Sequence, residues 1–335
     1  MMDYILEVPP FIESKQQDET WTKALQEAFQ KQKSAYLHII ASGSSNHAAW
    51  CAKQYMEQQL HLPLRISFPF TFYAYEEVDA QAFYLFISQS GHSTNTLKAL
   101  QKVQKQQQPV HLLSANAFDQ QEDDIHHYNL DIGKEEVPFV CKGFSSTLLY
   151  LLTFAAKLAH TTLPHELACL YRAQIAKANA FFIEHKEALV KVKRIHLCGY
   201  GANLHGAREA ALKFCETLQI AATAYEIEEF LHGGYLELER EHAVFLIRSH
   251  SYGDTRVLQL AKHLPALCDH VYMEEVDFEV EEAISPLLHI AFFQTLVYRI
   301  NEAKGNRIPM MKACYIAFEK QLKTKTVSYY DEEEH

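Results

Sequence analysis

The sequence predicts a doubly wound α/β protein whose basic unit occurs twice. Three observations carry that expectation. Short apolar runs end in loops of Ser, Gly and Thr and pass at once into helical segments, which is the grammar of a parallel sheet with helices on both faces. The unit returns in the second half at offsets of 158 (Gly43 to Gly201, His47 to His205) and 160 (Ser88 to Arg248). The chain is also long and apolar enough for two such units: 335 residues, 48% hydrophobic and 22% charged, with 11 Gly and 10 Pro. That composition excludes disordered and collagen-like architectures.

Residues 1–34 read as a polar amphipathic helical lead-in. Tyr36–Ala41 is a buried strand that feeds the loop Ser42-Gly43-Ser44-Ser45-Asn46, and His47 to Leu60 has helical composition. Phe83–Ile87 is the next strand, followed by a loop over 88–96 and a helix from about Leu97; Val110–Leu113 makes a third strand. In the second half, Ile195–Gly199 with Tyr200-Gly201-Ala202-Asn203 repeats the first unit, and Ala243–Ser251 echoes the second. The boundary between the halves is expected in the helical stretch 165–193.

Charge and cysteine usage narrow the function. Thirty-one Lys and Arg against 42 Asp and Glu give a net charge of −11, a poor match to nucleic acid, which needs a basic surface. There is no run of 18 apolar residues and no basic region followed by a long apolar one, so neither a membrane span nor a signal peptide is expected. The seven cysteines (51, 141, 169, 198, 215, 268 and 314) form no CxxC pair and no metal spacing. They read as reduced thiols, which places the chain in the cytoplasm with no metal and no cofactor.

The two loops of the first half are dense in hydroxyls and glycines: Gly43, Ser44, Ser45, Ser88, Ser90, Gly91 and Ser93. With a helix N-terminus behind each loop, that chemistry suits a phosphate monoester. The alternative is ordinary helix capping by Ser and Thr. The absence of GxxxxGK[ST] and GxGxxG disfavours nucleoside triphosphates and dinucleotides. In the second half, Glu209, Lys213 and Glu216 stand at i, i+4 and i+7, one face of a predicted helix over 203–219. Glu226, Glu229 and His232 are spaced by three and share a face if helical. Carboxylates and a histidine among apolar neighbours fit proton transfer; a solvated salt-bridge face is the competing reading.

Four segments resemble a known family: ASGSSNHAAW (41–50), ISQSGHSTNTLKAL (87–100), the block from Gly199 to Gly234, and QLKTKTVSYY (321–330). In this order they are similar to the sugar isomerase (SIS) domain family. The likeness is to the tandem-SIS isomerase half of glutamine–fructose-6-phosphate aminotransferase and to the stand-alone fructosamine- and glucoselysine-6-phosphate deglycases. The resemblance implies two tandem flavodoxin-like SIS domains, each a parallel sheet with helices on both faces. The lead-in would be 1–34, the phosphosugar-binding domain 35–175, the catalytic domain 176–318, and a tail over 319–335 would reach the site. It implies that Ser45, Ser88, Gln89, Ser90 and Ser93, with Gly43 and Ser44 beside them, hold the sugar phosphate. Glu216 would be the base moving a proton between C1 and C2, and His232, often supplied by a neighbouring subunit, would assist ring opening. Glu209, Lys213 and Glu229 would support them, and Lys323 would lie near the sugar, with Lys325 a close competitor.

Departures from the pattern shape the expected activity. His92 stands where the family usually has Glu. The segment resembling ASTKAF is Phe139-Val140-Cys141-Lys142-Gly143-Phe144, so the sugar-contacting serine becomes Val140. The chain begins MMDYIL, with no glutamine amidotransferase domain ahead of it. The expectation is therefore a phosphosugar deglycase or isomerase that removes an amine from a 6-phosphorylated fructosamine- or glucosamine-type sugar. The alternatives are an aldose–ketose isomerase, an amino-sugar-phosphate deaminase and a non-catalytic sugar-phosphate sensor. The expected partners are a sugar phosphate and further copies of this chain, in a homodimer or higher oligomer with active sites at the subunit interface.

Overall fold

The computed structural model describes residues 1–91, 93–115, 125–133, 135, 140–276 and 280–305. Three helices open the chain: α1 (Met2–Leu6), α2 (Val8–Gln17) and α3 (Lys23–Gln32). The first half then runs β1 (Tyr36–Ala41), α4 (Gly43–Leu60), β2 (Leu64–Ser67), α5 (Pro69–Tyr75), β3 (Ala82–Ile87), α6 (Thr94–Lys105), β4 (Val110–Ser114), β5 (Ile125–Asn129) and α7 (Lys142–Leu158). A long helix, α8 (Leu167–Lys191), leads to β6 (Arg194–Gly199), α9 (Ala202–Lys213), β7 (Ala221–Glu226), β8 (Ala243–Arg248), α10 (Asp254–His263), β9 (His270–Glu275) and α11 (Pro286–Ala303).

The strands form two all-parallel sheets, ordered β2-β1-β3-β4-β5 and β7-β6-β8-β9. The first is the flavodoxin-like order, and the second repeats its first four positions. Strands β1 and β3 are buried along their whole length, as a sheet covered on both faces requires. One large core joins the inner faces of both sheets through α4, α7, α8, α9 and α11, and a smaller cluster lies on each outer face. Helix α7 is the keel, buried from Lys142 to Ala156, and α8 runs unbroken through the 175/176 division. The lead-in puts Ile5, Val8, Phe11, Ile12 and Leu25 into the same core. Among the described residues, no helix is long and apolar enough to cross a membrane.

The structure corrects three local expectations. Helix α4 begins at Gly43, four residues before His47, because Ser42 is extended and Gly43 takes a positive φ of 55° that turns the chain straight into the helix. Ser44 and Ser45 therefore sit in its first turn instead of a loop. The segment over 203–219 is not one α-helix: α9 passes into a π turn, Phe214–Leu218, closed by Gln219 at a φ of 55°. Glu226, Glu229 and His232 do not share a helical face. Glu226 ends β7 and accepts the backbone N–H groups of Glu228 (2.7 Å) and Glu229 (3.0 Å), capping a short 3-10 turn, Glu229–His232.

Candidate functional site

The two halves meet chemically at Glu209. Its carboxylate is fully buried on α9 and accepts from Ser44 Oγ at 2.9 Å and from His47 Nδ1 at 2.8 Å, both on α4. Lys213, one turn on and equally buried, places Nζ 3.3 Å from Glu209 and 2.7 Å from Glu216. The spacing read from the sequence thus brings Glu209, Lys213 and Glu216 together. Of the three, Glu216 reaches solvent, with its side chain 28% exposed. The π turn positions it there: widening the helix by one residue is a local distortion found often at functional sites, and Glu216 lies at its centre.

Electrostatics fix the charge of Lys213. Burial alone pushes the Lys213 ammonium down, but the carboxylates of Glu209 and Glu216 outweigh it and hold the group above the ordinary lysine value. Lys213 is therefore a permanent cation at neutral pH, locked beside a carboxylate that opens to solvent. A carboxylate held in that way can take a carbon-bound proton and return it.

The first-half loops lie at the carboxyl ends of β1 and β3, where ligands of open α/β sheets bind. Ser88 is buried at the end of β3, and Gly91 N–H turns back to its carbonyl at 2.9 Å. Ser93 is the residue before α6 and Ser42 the residue before α4, yet neither caps its helix with its side chain. Among the described residues, capping therefore does not use the Ser42 and Ser93 hydroxyls, while Ser44 Oγ is given to Glu209. Ser45 is half-buried and Ser90 exposed.

Sequence reasoning missed Glu135. Its Oε1 accepts the N–H groups of Cys141 (2.7 Å) and Lys142 (3.0 Å), and its Oε2 accepts Gly143 N–H (3.0 Å) and Gln89 Nε2 (2.9 Å). It thereby caps α7 and grips Gln89. The cap belongs to the same electrostatic neighbourhood: burial pushes the Cys141 thiol up, Lys213 opposes this, and Glu135 and Glu209 reinforce it. A carboxylate ahead of a helix start is a legible cap signal. Nothing local in the sequence marks His47 as a partner of Glu209, which lies 162 residues away.

Other candidates stand apart. His232 and Glu229 are exposed on the 3-10 turn. Lys323, Lys325 and His92 lie outside the described residues. Among the described residues, no group of three His, Cys, Asp or Glu is placed to hold a metal ion.

Paired flavodoxin-like sheets, with hydroxyl-rich loops on one half and a buried Lys–Glu pair on the other, define a class of two-unit α/β protein. Comparison with known proteins finds a family likeness: residues 188–267 match the SIS domain model. The chain is 26% identical over 236 residues to the glutamine–fructose-6-phosphate aminotransferase of Acinetobacter baylyi, covering 64% of this chain and 38% of that protein. The solved C-terminal domain of glucosamine-fructose-6-phosphate aminotransferase from Francisella tularensis superposes with a TM-score of 0.76 at 21% identity, covering 92% of this chain and 96% of that one. The glucosamine-6-phosphate deaminase structure from Thermotoga maritima gives 0.77 at 19% identity, covering 93% and 98%. The resemblance read from the motifs and the flavodoxin-like fold it implied are both borne out.

Proposed function

We propose that this chain is a phosphosugar deglycase/isomerase that removes an amine from a 6-phosphorylated fructosamine- or glucosamine-type sugar. The observation that carries the reading is the buried chain Ser44–Glu209–Lys213–Glu216, which ties the hydroxyl-bearing start of α4 to a solvent-facing carboxylate. The phosphate binds at the first-half loops and positions the sugar, supplying binding energy remote from the reacting carbons. Glu216 takes the proton from one of C1 and C2 and returns it to the other through an enediol- or enolamine-like intermediate. Water then releases the amine and leaves a hexose 6-phosphate. A proton shift between adjacent carbons needs only a carboxylate in reach. His232, exposed in the single chain, serves a neighbouring subunit's sugar in a cytoplasmic homo-oligomer.

The test is incubation with fructoselysine, glucoselysine, fructose-asparagine and glucosamine 6-phosphates, measuring hexose 6-phosphate and free amine together. Amine release from one of them, lowered about 10²–10⁴-fold in Glu216→Gln with binding retained, supports the deglycase. The likeness to a glucosamine-6-phosphate deaminase structure favours one alternative, and ammonia release from glucosamine 6-phosphate alone would establish it. Tight binding without turnover of any of the four would leave an aldose–ketose isomerase or a sensor.

A further inference from the structure

The Gln89 side chain has a fixed orientation, and its cause lies outside the residues that the sequence singled out. Glu135 offers four acceptor positions and all four are used: three by N–H groups at the start of α7, the fourth by Gln89 Nε2 at 2.9 Å. An ionised carboxylate only accepts, so the amide nitrogen of Gln89 is the atom turned to Glu135 and its carbonyl oxygen is not. The backbone at Gln89 is held independently, since its carbonyl accepts Ala115 N–H at 3.0 Å beyond the end of β4. The room for this conformation comes from Gly143. A Cβ there would stand 2.3 Å from Gln89 Oε1 and 2.4 Å from its Cδ and Nε2. Gly143 lies within α7, and the segment it matches in the aminotransferase family has alanine at this position.

A phosphate group is a poor partner for a side chain held in this way. A phosphate dianion has no proton to offer the carbonyl oxygen. The remaining amide hydrogen lies next to the Glu135 carboxylate, whose charge repels a second anion. A sugar hydroxyl is a good partner, because it donates to the carbonyl oxygen. We propose that Glu135 is a positioning residue which, with Gly143, turns the Gln89 amide away from the phosphate and makes it the reader of a sugar hydroxyl. Phosphate binding is left to the Ser88, Ser90 and Ser93 side of the loop. This assignment rests on the phosphosugar reading of the site and deepens it, by dividing one loop into a phosphate-binding side and a sugar-selecting side.

Two substitutions reach Gln89 from opposite directions. Gly143→Ala leaves the Glu135 cap intact and suits a helix better than glycine does, while its methyl group displaces the amide. Glu135→Gln keeps the shape but puts an NH₂ group against donors, so the grip on Gln89 is lost. Calorimetric titration of the full chain with fructose 6-phosphate and, separately, with inorganic phosphate reads both sides of the loop. Loss of one hydrogen bond predicts a rise in Kd for fructose 6-phosphate of about 3–10-fold in each variant. The Kd for inorganic phosphate should stay unchanged. In a Gln89→Ala background both substitutions should lose their effect, which a merely structural role for Glu135 would not produce.

Parallel weakening of phosphate and phosphosugar binding would overturn the assignment, because it would make the side chain a phosphate ligand. So would unchanged fructose 6-phosphate binding in Gly143→Ala. A wild-type chain that binds neither ligand would remove the phosphosugar reading and this inference with it, and it is told apart from the other results by the wild-type titration alone.

Discussion

The two halves repeat the same strand order over four strands and differ at their loop ends. Gly43 and Gly201 are equivalent and share a positive φ, 55° and 53°. A Cβ on Gly43 would meet no atom of the described residues within 4 Å, whereas one on Gly201 would stand 1.7 Å from Glu282 Oε1. The second loop pair differs in the same sense. Ser88 follows β3, but its counterpart Arg248 ends β8 and pairs with Asp254 and Glu275, each at 2.9 Å. Asp254, the first residue of α10, also accepts from the Tyr200 hydroxyl at 2.9 Å and from Ser251 N–H at 3.2 Å. In the second half the chain's own carboxylates occupy the helix starts that an anion would otherwise use. In the first half the start of α4 instead reaches across to Glu209, through Ser44 and His47, and the second half contributes α9 and its π turn.

The sharpest way to break this division is at its joint. Lys213→Met removes the cation between Glu209 and Glu216. Glu209 is then left as a fully buried carboxylate with Ser44 and His47 as its remaining partners. Breaking a buried pair by removing one partner costs about 3–5 kcal/mol, so the urea midpoint should fall steeply and turnover with it. An unchanged midpoint would show that Glu209 is not held ionised, and the joint would lose its electrostatic meaning.

The sheets, where the halves agree, predict a shared response to acid. His38 on β1 and His196 on β6 are equivalent, and burial is the main cause lowering each to about 4 from an ordinary 6.5. Between those values the unfolded chain binds protons that the folded chain refuses. Stability therefore falls as pH drops through this window, by about 3 kcal/mol for each histidine at the lower end. The wiring is unequal: His38 Nε2 meets Ser67 Oγ at 2.9 Å, while among the described residues neither ring nitrogen of His196 has a hydrogen-bond partner, the Glu237 carboxylate standing 3.6 Å from Nδ1. His196→Phe should therefore shift the acid midpoint downward at no cost at pH 7, whereas His38→Phe should also lose stability at pH 7. Equal behaviour of the two variants in circular dichroism titrations would contradict the assignment.

Much of this was legible in the sequence, because it is local. The apolar runs gave β1, β3, β4, β6 and β8, and the i, i+4, i+7 spacing gave Glu209, Lys213 and Glu216, since one helix face is set by residues a few positions apart. The edge strands β2, β5, β7 and β9 did not stand out: β5 reads Ile-His-His-Tyr-Asn and has no apolar run. The π turn was not legible either, because a one-residue widening leaves the hydrophobic period almost unchanged. Contacts across the chain were hidden for a simpler reason. Ser44 and His47 reach Glu209 over more than 160 residues, and Glu135 reaches Gln89 over 46; periodicity says nothing about such pairs.

The smallest expected effect tests the division of labour most directly. Ser93 and Ser251 both precede the helix that follows the second loop of their half, α6 and α10 respectively. Ser93 does not cap α6 with its side chain, and its hydroxyl is assigned here to the phosphate. The Ser251 hydroxyl is already committed to Glu282. Removing a hydroxyl that contacts substrate costs about 0.5–1.5 kcal/mol, or about 3–10-fold in KM. Ser93→Ala should show that rise with kcat little changed, and Ser251→Ala should leave KM where it was. If Ser251→Ala raised KM as much as Ser93→Ala, the second-half loops would have to be reached by substrate, and the carboxylates there would be ligands of a cation or hydroxyl instead of internal counterparts to the phosphate. If neither variant moved KM, the phosphate would have to rest on Ser88 and the backbone of its loop, and the hydroxyl at the start of α6 would have no part in binding.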